Sequence, residues 1–309
     1  MKSFIITGAT SMIGIDLCKY ISSFSDNKVY ALCREESQRF KRLPVKNNVK
    51  VIYYDLEHIS DISKEIRNAD VFINLAWTNT DHIGRNDAFL QGFNVDYAKE
   101  AIKFAALKGC RLFVEAGSQA EYGYVPDLIT EETPCNPQVE YGKAKLRVLN
   151  EGSVLCDSLG LKYLHLRIFS TFGENDRPWT LIMSAIDKML KNEDVELSSC
   201  TQNWNYLYVA DCVKQIFLLC KYLIEDPNFK VGIFHVASKD TRPLKDYIEE
   251  MKSVLKSSSV LHYGKNLSAN QVSLNPSVIK TENAIGFTNE VSFAEAIKII
   301  ANKIQITTK

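Results

Sequence analysis

The sequence predicts an α/β protein, a doubly wound parallel sheet with a smaller C-terminal domain. Three observations predict it. Short apolar runs alternate with helical apolar patterns over most of the chain, a glycine turn joins the first run to the first helix, and the rhythm loosens after Arg167. Alternation of this kind places helices on both faces of a parallel sheet.

Phe4-Ile5-Ile6 reads as the first strand, and Thr7-Gly8-Ala9-Thr10-Ser11-Met12-Ile13-Gly14 as the turn after it. The following helix sets Ile13, Leu17 and Ile21 on one face, with Tyr20 and Phe24 beside them, because residues four apart share a helix face. Residues 29–32, 49–54, 71–73, 112–114 and 163–166 read as further strands. The clearest helical patterns between them cover 94–108 and 139–159, the latter stopped by Gly160. Later helices are expected over 181–190, 213–223, 244–255 and 293–304, with a strand at 233–236. The expected division is 1–170, with a return contribution near 204–236, and a smaller substrate domain over 171–309.

At 309 residues the chain can bury a full core, and 46% hydrophobic with 24% charged residues is ordinary for a globular protein. The formal net charge of +0 gives no reason to expect nucleic acid or an anionic membrane as partner. No apolar run reaches membrane-spanning length, and the first residues lack the regions of a signal peptide, so a cytoplasmic protein is expected. The eight cysteines are scattered without a CxxC pair or a cysteine–histidine cluster. Reduced thiols and no metal site are expected from that spacing.

A glycine pattern alone also serves turns for steric reasons, but its place directly after an apolar run and before a helix leads us to expect a dinucleotide site of the Rossmann type. Gly8 permits the sharp turn, and Gly14 lets the helix pack closely. The first helical amides, near Met12 and Ile13, lack intrahelical partners and, with the helix dipole, favour a pyrophosphate. Ser11 stands where such a loop usually carries its middle glycine, and its hydroxyl can itself donate to a phosphate.

The second strand ends in Cys33-Arg34 rather than in the carboxylate that an NAD site uses for the ribose 2′-OH. An arginine fork grips a 2′-phosphate, so NADP(H) is favoured and NAD(H) remains open. Glu35 and Glu36 follow directly, and a plain solvated charge run fits them as well. Asp55-Leu56 and Asn74-Leu75-Ala76-Trp77 end the third and fourth strands at the edge where open α/β sheets bind ligands.

Tyr141 and Lys145 stand at i and i+4 on one helix face. A phenol is a poor acid–base at neutral pH, and a neighbouring ammonium favours its phenolate. With 14 tyrosines in the chain, about one such pair arises by chance. The fifth strand, however, runs into Gly117-Ser118-Gln119-Ala120-Glu121-Tyr122-Gly123. A serine at that strand's end supplies a hydrogen bond to a carbonyl oxygen beside Tyr141. A donor beside a proton donor, above a nicotinamide, is what hydride transfer to a carbonyl requires.

In these residues the chain resembles the extended short-chain dehydrogenase/reductases, the nucleotide-sugar epimerase/dehydratase group. The resemblance covers essentially the whole chain. It runs from the opening TGATSMIG through Asp55-Leu56, Asn74-Leu75-Ala76 and Asn94-Val95, taken as opening the fourth helix. It continues through Ser118, the Tyr141/Lys145 pair and Arg167–Gly173 to Tyr206–Asp211. It implies Ser118, Tyr141 and Lys145 as catalytic trio, with Lys145 also holding the cofactor ribose. It puts Met12 and Ile13 on the pyrophosphate, Asp55 and Leu56 on adenine, Leu75, Ala76 and Trp77 along the cofactor with Asn94 supporting them, and Phe169 at the nicotinamide. Ser118, Gln119, Tyr141 and Ser170 are the implied substrate contacts, for a nucleotide sugar whose diphosphate the second domain holds. A homodimer fits the family habit of pairing the two long helices.

Departures from the family pattern narrow the activity. Dehydratases carry Asp-Glu where this chain has Gln119-Ala120, which leaves no pair to remove water. Many 4-epimerases have asparagine at Ser170 and arginine at Trp204. The 117–123 and 203–209 segments resemble reductases and epimerases of deoxysugar nucleotides in surface-polysaccharide (O-antigen, lipopolysaccharide) pathways. The likeness is greatest to the dTDP-4-dehydro-6-deoxyglucose reductases that form dTDP-D-fucose. The expected activity is therefore NAD(P)H-dependent reduction of a C4 ketone. An NAD-dependent 4-epimerase is the main rival, and a non-catalytic dinucleotide sensor on the same fold the other.

Overall fold

The computed structural model describes residues 2–265 and 272–307. Its first half runs β1 (Lys2–Thr7), α1 (Met12–Ser22), β2 (Asn27–Cys33), β3 (Val49–Tyr53), β4 (Val71–Asn74), α2 (Ala88–Leu107), β5 (Leu112–Ser118), α3 (Glu140–Ser158) and β6 (Lys162–Ile168). Then follow β7 (Ser170–Phe172), α4 (Leu181–Leu190), β8 (Val195–Glu196), β9 (Asn203–Tyr208), α5 (Val209–Glu225) and β10 (Val231–Val236). The last elements are β11 (Thr241–Pro243), α6 (Leu244–Leu255), β12 (Leu261–His262), α7 (Ile279–Ile285) and α8 (Phe293–Thr307).

Seven parallel strands form the main sheet in the order β10-β6-β5-β4-β1-β2-β3. The chain reverses its direction of travel between β1 and β4, so their carboxyl ends open a crevice. A three-stranded sheet, β11-β9-β7, and a pair, β12-β8, stand apart from it. This is the α/β class expected, with smaller sheets in the C-terminal part. Among the described residues no helix is long and apolar enough to cross a membrane.

Because side chains alternate across a strand, each apolar strand feeds two cores. Phe4, Ile6, Val71, Ile73, Leu112 and Val114 pack towards α1 and α5. Ile5, Phe72, Phe113 and Tyr163 face α2 and α3. On that second face the register aligns Phe72 with Phe113 and Phe113 with Tyr163. Their rings stack at 5.3 Å and 6.2 Å between centroids, an aromatic row across three adjacent strands. Phe24, expected beside the apolar face of α1, lies just past the helix end and stacks on Phe217 of α5 at 5.1 Å.

The helix expected over 94–108 starts earlier, at Ala88, so Asn94 lies inside α2 rather than at its opening. Asp87 caps it, accepting hydrogen bonds from the Phe89 and Leu90 amides. The first turns carry exposed Phe89 in place of a buried stripe, so periodicity gives no sign of them there.

Phe113→Ala would open the middle of the aromatic row. It is expected to lower unfolding free energy by about 3–5 kcal/mol, measured by denaturant titration; a loss below about 1 kcal/mol would mean the row carries little of the core.

Candidate active site

The glycine turn closes as the sequence implies. Gly8 sits at φ +62°, and a Cβ on Gly14 would stand 2.3 Å from the Gly8 carbonyl oxygen, so α1 starts against the turn itself. Ser11 caps α1, its hydroxyl accepting from the Gly14 amide at 3.0 Å, which leaves the hydroxyl proton for an incoming group. Ser11, Met12 and Ile13 face an open cleft of about 1080 Å³ at the carboxyl edge of the sheet.

The same cleft is lined by Leu75 and Trp77 after β4, by Ser118 and Gln119 at the end of β5, and by Tyr141 and Lys145 of α3. Phe169 and Ser170 line it as well. Two helices shape it. Gly142 lets α3 press on the turn after β5, for a Cβ there would lie 2.4 Å from the Ala120 carbonyl oxygen. From α2, buried Gln91 accepts from Trp77 Nε1 at 2.8 Å and Asn94 accepts from the Thr78 amide at 2.8 Å, pinning the segment after β4.

Ser118 is the last residue of β5. Its amide donates to Glu121 Oε1 at 2.7 Å and its hydroxyl accepts from the Ala120 amide at 3.1 Å, so the hydroxyl proton is left to donate into the cleft. The Tyr141 ring packs edge-on against Trp77, 5.7 Å away at 80°. Its own face lies under the Arg85 guanidinium at 4.3 Å. Lys145 is almost fully buried. Its ammonium donates to the Ala116 carbonyl at 2.5 Å and to Glu115 Oε1 at 3.3 Å, and it lies 3.5 Å from the Trp77 ring centroid.

Comparison with known proteins shows the family and the fold. A model of the NAD dependent epimerase/dehydratase family matches residues 4–232, from the first strand into β10. The chain belongs to that family. Its sequence is 23% identical to a CDP-abequose synthase of Salmonella muenchen, over 85% of this chain and 84% of that one. It is 26% identical to a dTDP-6-deoxy-L-talose 4-dehydrogenase (NAD(+)) of Aggregatibacter actinomycetemcomitans, over 80% of this chain and 88% of that one. A solved structure of UDP-glucuronic acid 4-epimerase from Bacillus cereus superposes with a TM-score of 0.88 at 17% identity, covering 99% of each chain.

Family membership makes a dinucleotide of the NAD(P) class the expected cofactor, and the residues present fit one. The capped helix start, the close-packed glycine turn and a buried ammonium all face one cleft. Ala76, Asp55, Leu56, Arg34 and Asn94, also expected as contacts, are not among the residues that line this cleft. Ala76 is tied through its amide to the Thr7 hydroxyl at 3.2 Å. Asp55 caps the 3-10 segment Leu56–Glu65, accepting from the Glu57 amide at 3.2 Å. Arg34 is exposed just past β2. The loop beyond it is held to the glycine turn by a 3.1 Å hydrogen bond from Ser37 to Thr10.

Sequence reading missed the charges beneath Ser118 and Lys145. Glu121 is buried between His165 Nε2, 3.0 Å away, and Arg167 Nε, 2.8 Å away, both from β6. Glu115 lies wholly buried under Lys145. A signal existed: acidic or basic residues inside the apolar strands at 112–118 and 162–168 cannot be buried without partners. Arg85 and Arg177, also on the cleft, carry no such signal, since one comes from the short 3-10 turn Gly84–Asn86 and the other from a loop.

Burial by itself raises the Glu121 carboxyl, but His165 and Arg167 outweigh it and hold it at about 2 instead of the ordinary 4.5. A depressed folded value means stability that is present above pH 4.5 and is lost as pH falls through 2. Glu121→Gln is therefore expected to lower unfolding free energy at pH 7 by on the order of 3 kcal/mol. The difference from wild type should shrink as pH drops from about 5 towards 2, measured by urea unfolding across that range. A gap constant with pH would show that the carboxylate is not what His165 and Arg167 stabilise.

Proposed function

We propose that this protein reduces the C4 ketone of a nucleotide-activated 4-keto-6-deoxyhexose with NAD(P)H, best fitted by dTDP-4-dehydro-6-deoxy-D-glucose going to dTDP-D-fucose. One observation carries the reading. Ser118, Tyr141 and Lys145 converge on a single cleft, while the two positions after Ser118 hold Gln119 and Ala120, neither of which can act as acid or base at neutral pH. Carbonyl–alcohol redox is supported by that set, and loss of water from the sugar is not. Two relatives named as a CDP-abequose synthase and a dTDP-6-deoxy-L-talose 4-dehydrogenase support a sugar nucleotide of this kind as the ligand.

In this mechanism the bound reduced dinucleotide supplies the hydride. Tyr141 gives its phenolic proton to the C4 oxygen, so the ketone gains one hydride and one proton to become the alcohol. Ser118 donates its free hydroxyl proton to the same oxygen and holds it towards Tyr141. Lys145 brings positive charge to the floor of the same cleft. Gln119 and Ser170 face the sugar side of the cleft and orient the substrate. Met12 and Ile13 would hold the cofactor's pyrophosphate at the start of α1, and Phe169 would meet its nicotinamide. Arg34 at the end of β2, with Cys33 where an NAD site carries a carboxylate, favours NADP(H) over NAD(H).

The deciding assay is NADPH absorbance with dTDP-4-keto-6-deoxyglucose, followed by mass spectrometry of the sugar nucleotide. Consumption of NADPH with a gain of two hydrogens is expected. Unchanged absorbance, with NAD released from the denatured protein, would instead mark a 4-epimerase. Tyr141→Phe is expected to cut turnover by ~10²- to 10⁴-fold while NADPH binding stays; undiminished turnover would remove Tyr141 from the mechanism. Arg34→Ala should raise the KM for NADPH by about tenfold and leave that for NADH nearly unchanged. Equal effects on both would shift the assignment to a cofactor without the 2′-phosphate.

A further inference from the structure

We propose that Glu115 is a positioning residue for Lys145, its buried carboxylate fixing the ammonium at the floor of the cleft so that one N–H remains for the ligand. This rests on the reading of Lys145 as a cofactor-holding residue.

An ammonium has three donors and no acceptor. Two of those on Lys145 are directed into the sheet, to Ala116 O and Glu115 Oε1. The remaining side meets the Trp77 ring face, which a ligand hydroxyl can replace. Glu115 is itself steered from behind. Its Oε2 accepts from Asn74 Nδ2 at 2.7 Å, and Asn74 Oδ1 accepts from the Thr7 hydroxyl at 2.7 Å. The Thr7 oxygen in turn accepts from the Leu75 and Ala76 amides, each at 3.2 Å. One dry chain of side chains thus runs from β5 through β4 to β1, and ties the height of the ammonium to the backbone that lines the cleft.

A buried carboxylate is costly to keep without a charge partner. Among the described residues Lys145 is the cation in ion-pair contact with Glu115. Glutamine would keep the shape and the Asn74 contact but not the charge that holds the ammonium down. Glu115 does not reach the cleft itself, so its influence on a ligand passes through Lys145.

The test is a double-mutant cycle on the full-length protein: Glu115→Gln, Lys145→Met and both together, with NADPH binding followed by fluorescence in the absence of any sugar. Glu115→Gln is expected to weaken NADPH binding about tenfold, and the double variant to bind no worse than Lys145→Met alone. Wild-type binding by Glu115→Gln, or a loss that adds in full to that of Lys145→Met, overturns the proposal. Melting temperatures taken alongside separate a merely structural role, which would lower stability without moving NADPH affinity. Asn74→Ala, which releases the other carboxylate oxygen, goes through the same cycle and decides the matter if Glu115→Gln does not fold; non-additivity with Lys145→Met is again expected. With no sugar present, the result stands apart from the ketone-reduction reading, which the turnover assay judges.

Discussion

A carboxylate cannot be left alone in a dry interior, and the end of β5 brings two inside, Glu115 and Glu121. Each recruits its partners from a neighbouring element. Glu121 draws His165 and Arg167 from β6 and, through the Ser118 amide, fixes the serine that ends β5. Glu115 draws Lys145 from α3 and Asn74 from β4. The edge that carries Ser118 and Lys145 is therefore set by charge pairing beneath it as much as by the strands that lead to it. Buried pairs of this kind add little stability over an apolar core, but they penalise every arrangement that separates them.

Packing completes what the charges begin. Gly142 brings α3 against the turn after β5, which carries Tyr141 to the cleft that Ser118 faces. The buried amides Gln91 and Asn94 of α2 hold the segment after β4, so that Trp77 stands against both Tyr141 and Lys145. The aromatic row of Phe72, Phe113 and Tyr163 supplies the floor under α2 and α3. Trp77, Ser118, Tyr141 and Lys145, from three separate stretches of chain, thus meet where α2 and α3 pack on one apolar face of the sheet.

Much of this was legible in one dimension. Alternating apolar runs give a parallel sheet because a strand buried on both faces tolerates few polar residues. A glycine turn straight after such a run gives a helix start packed against the turn for steric reasons, whatever the rest of the chain does. The i, i+4 spacing of Tyr141 and Lys145 puts both on one face of α3, as helix geometry requires. The early start of α2 was not legible, because its first turns are solvated and its cap, Asp87, acts through two backbone amides.

The sequence by itself determined the fold class, the order of the strand ends along one rim and the residue types of the trio. Those depend on local periodicity and on backbone sterics, which are read from neighbours in the chain. Only the tertiary structure decided that Lys145 lies over Glu115, that Arg85 covers the Tyr141 ring and that Glu121 is clamped between two residues of β6. Each of those contacts joins residues more than 25 positions apart, and its strength depends on burial and distance, which no local pattern encodes.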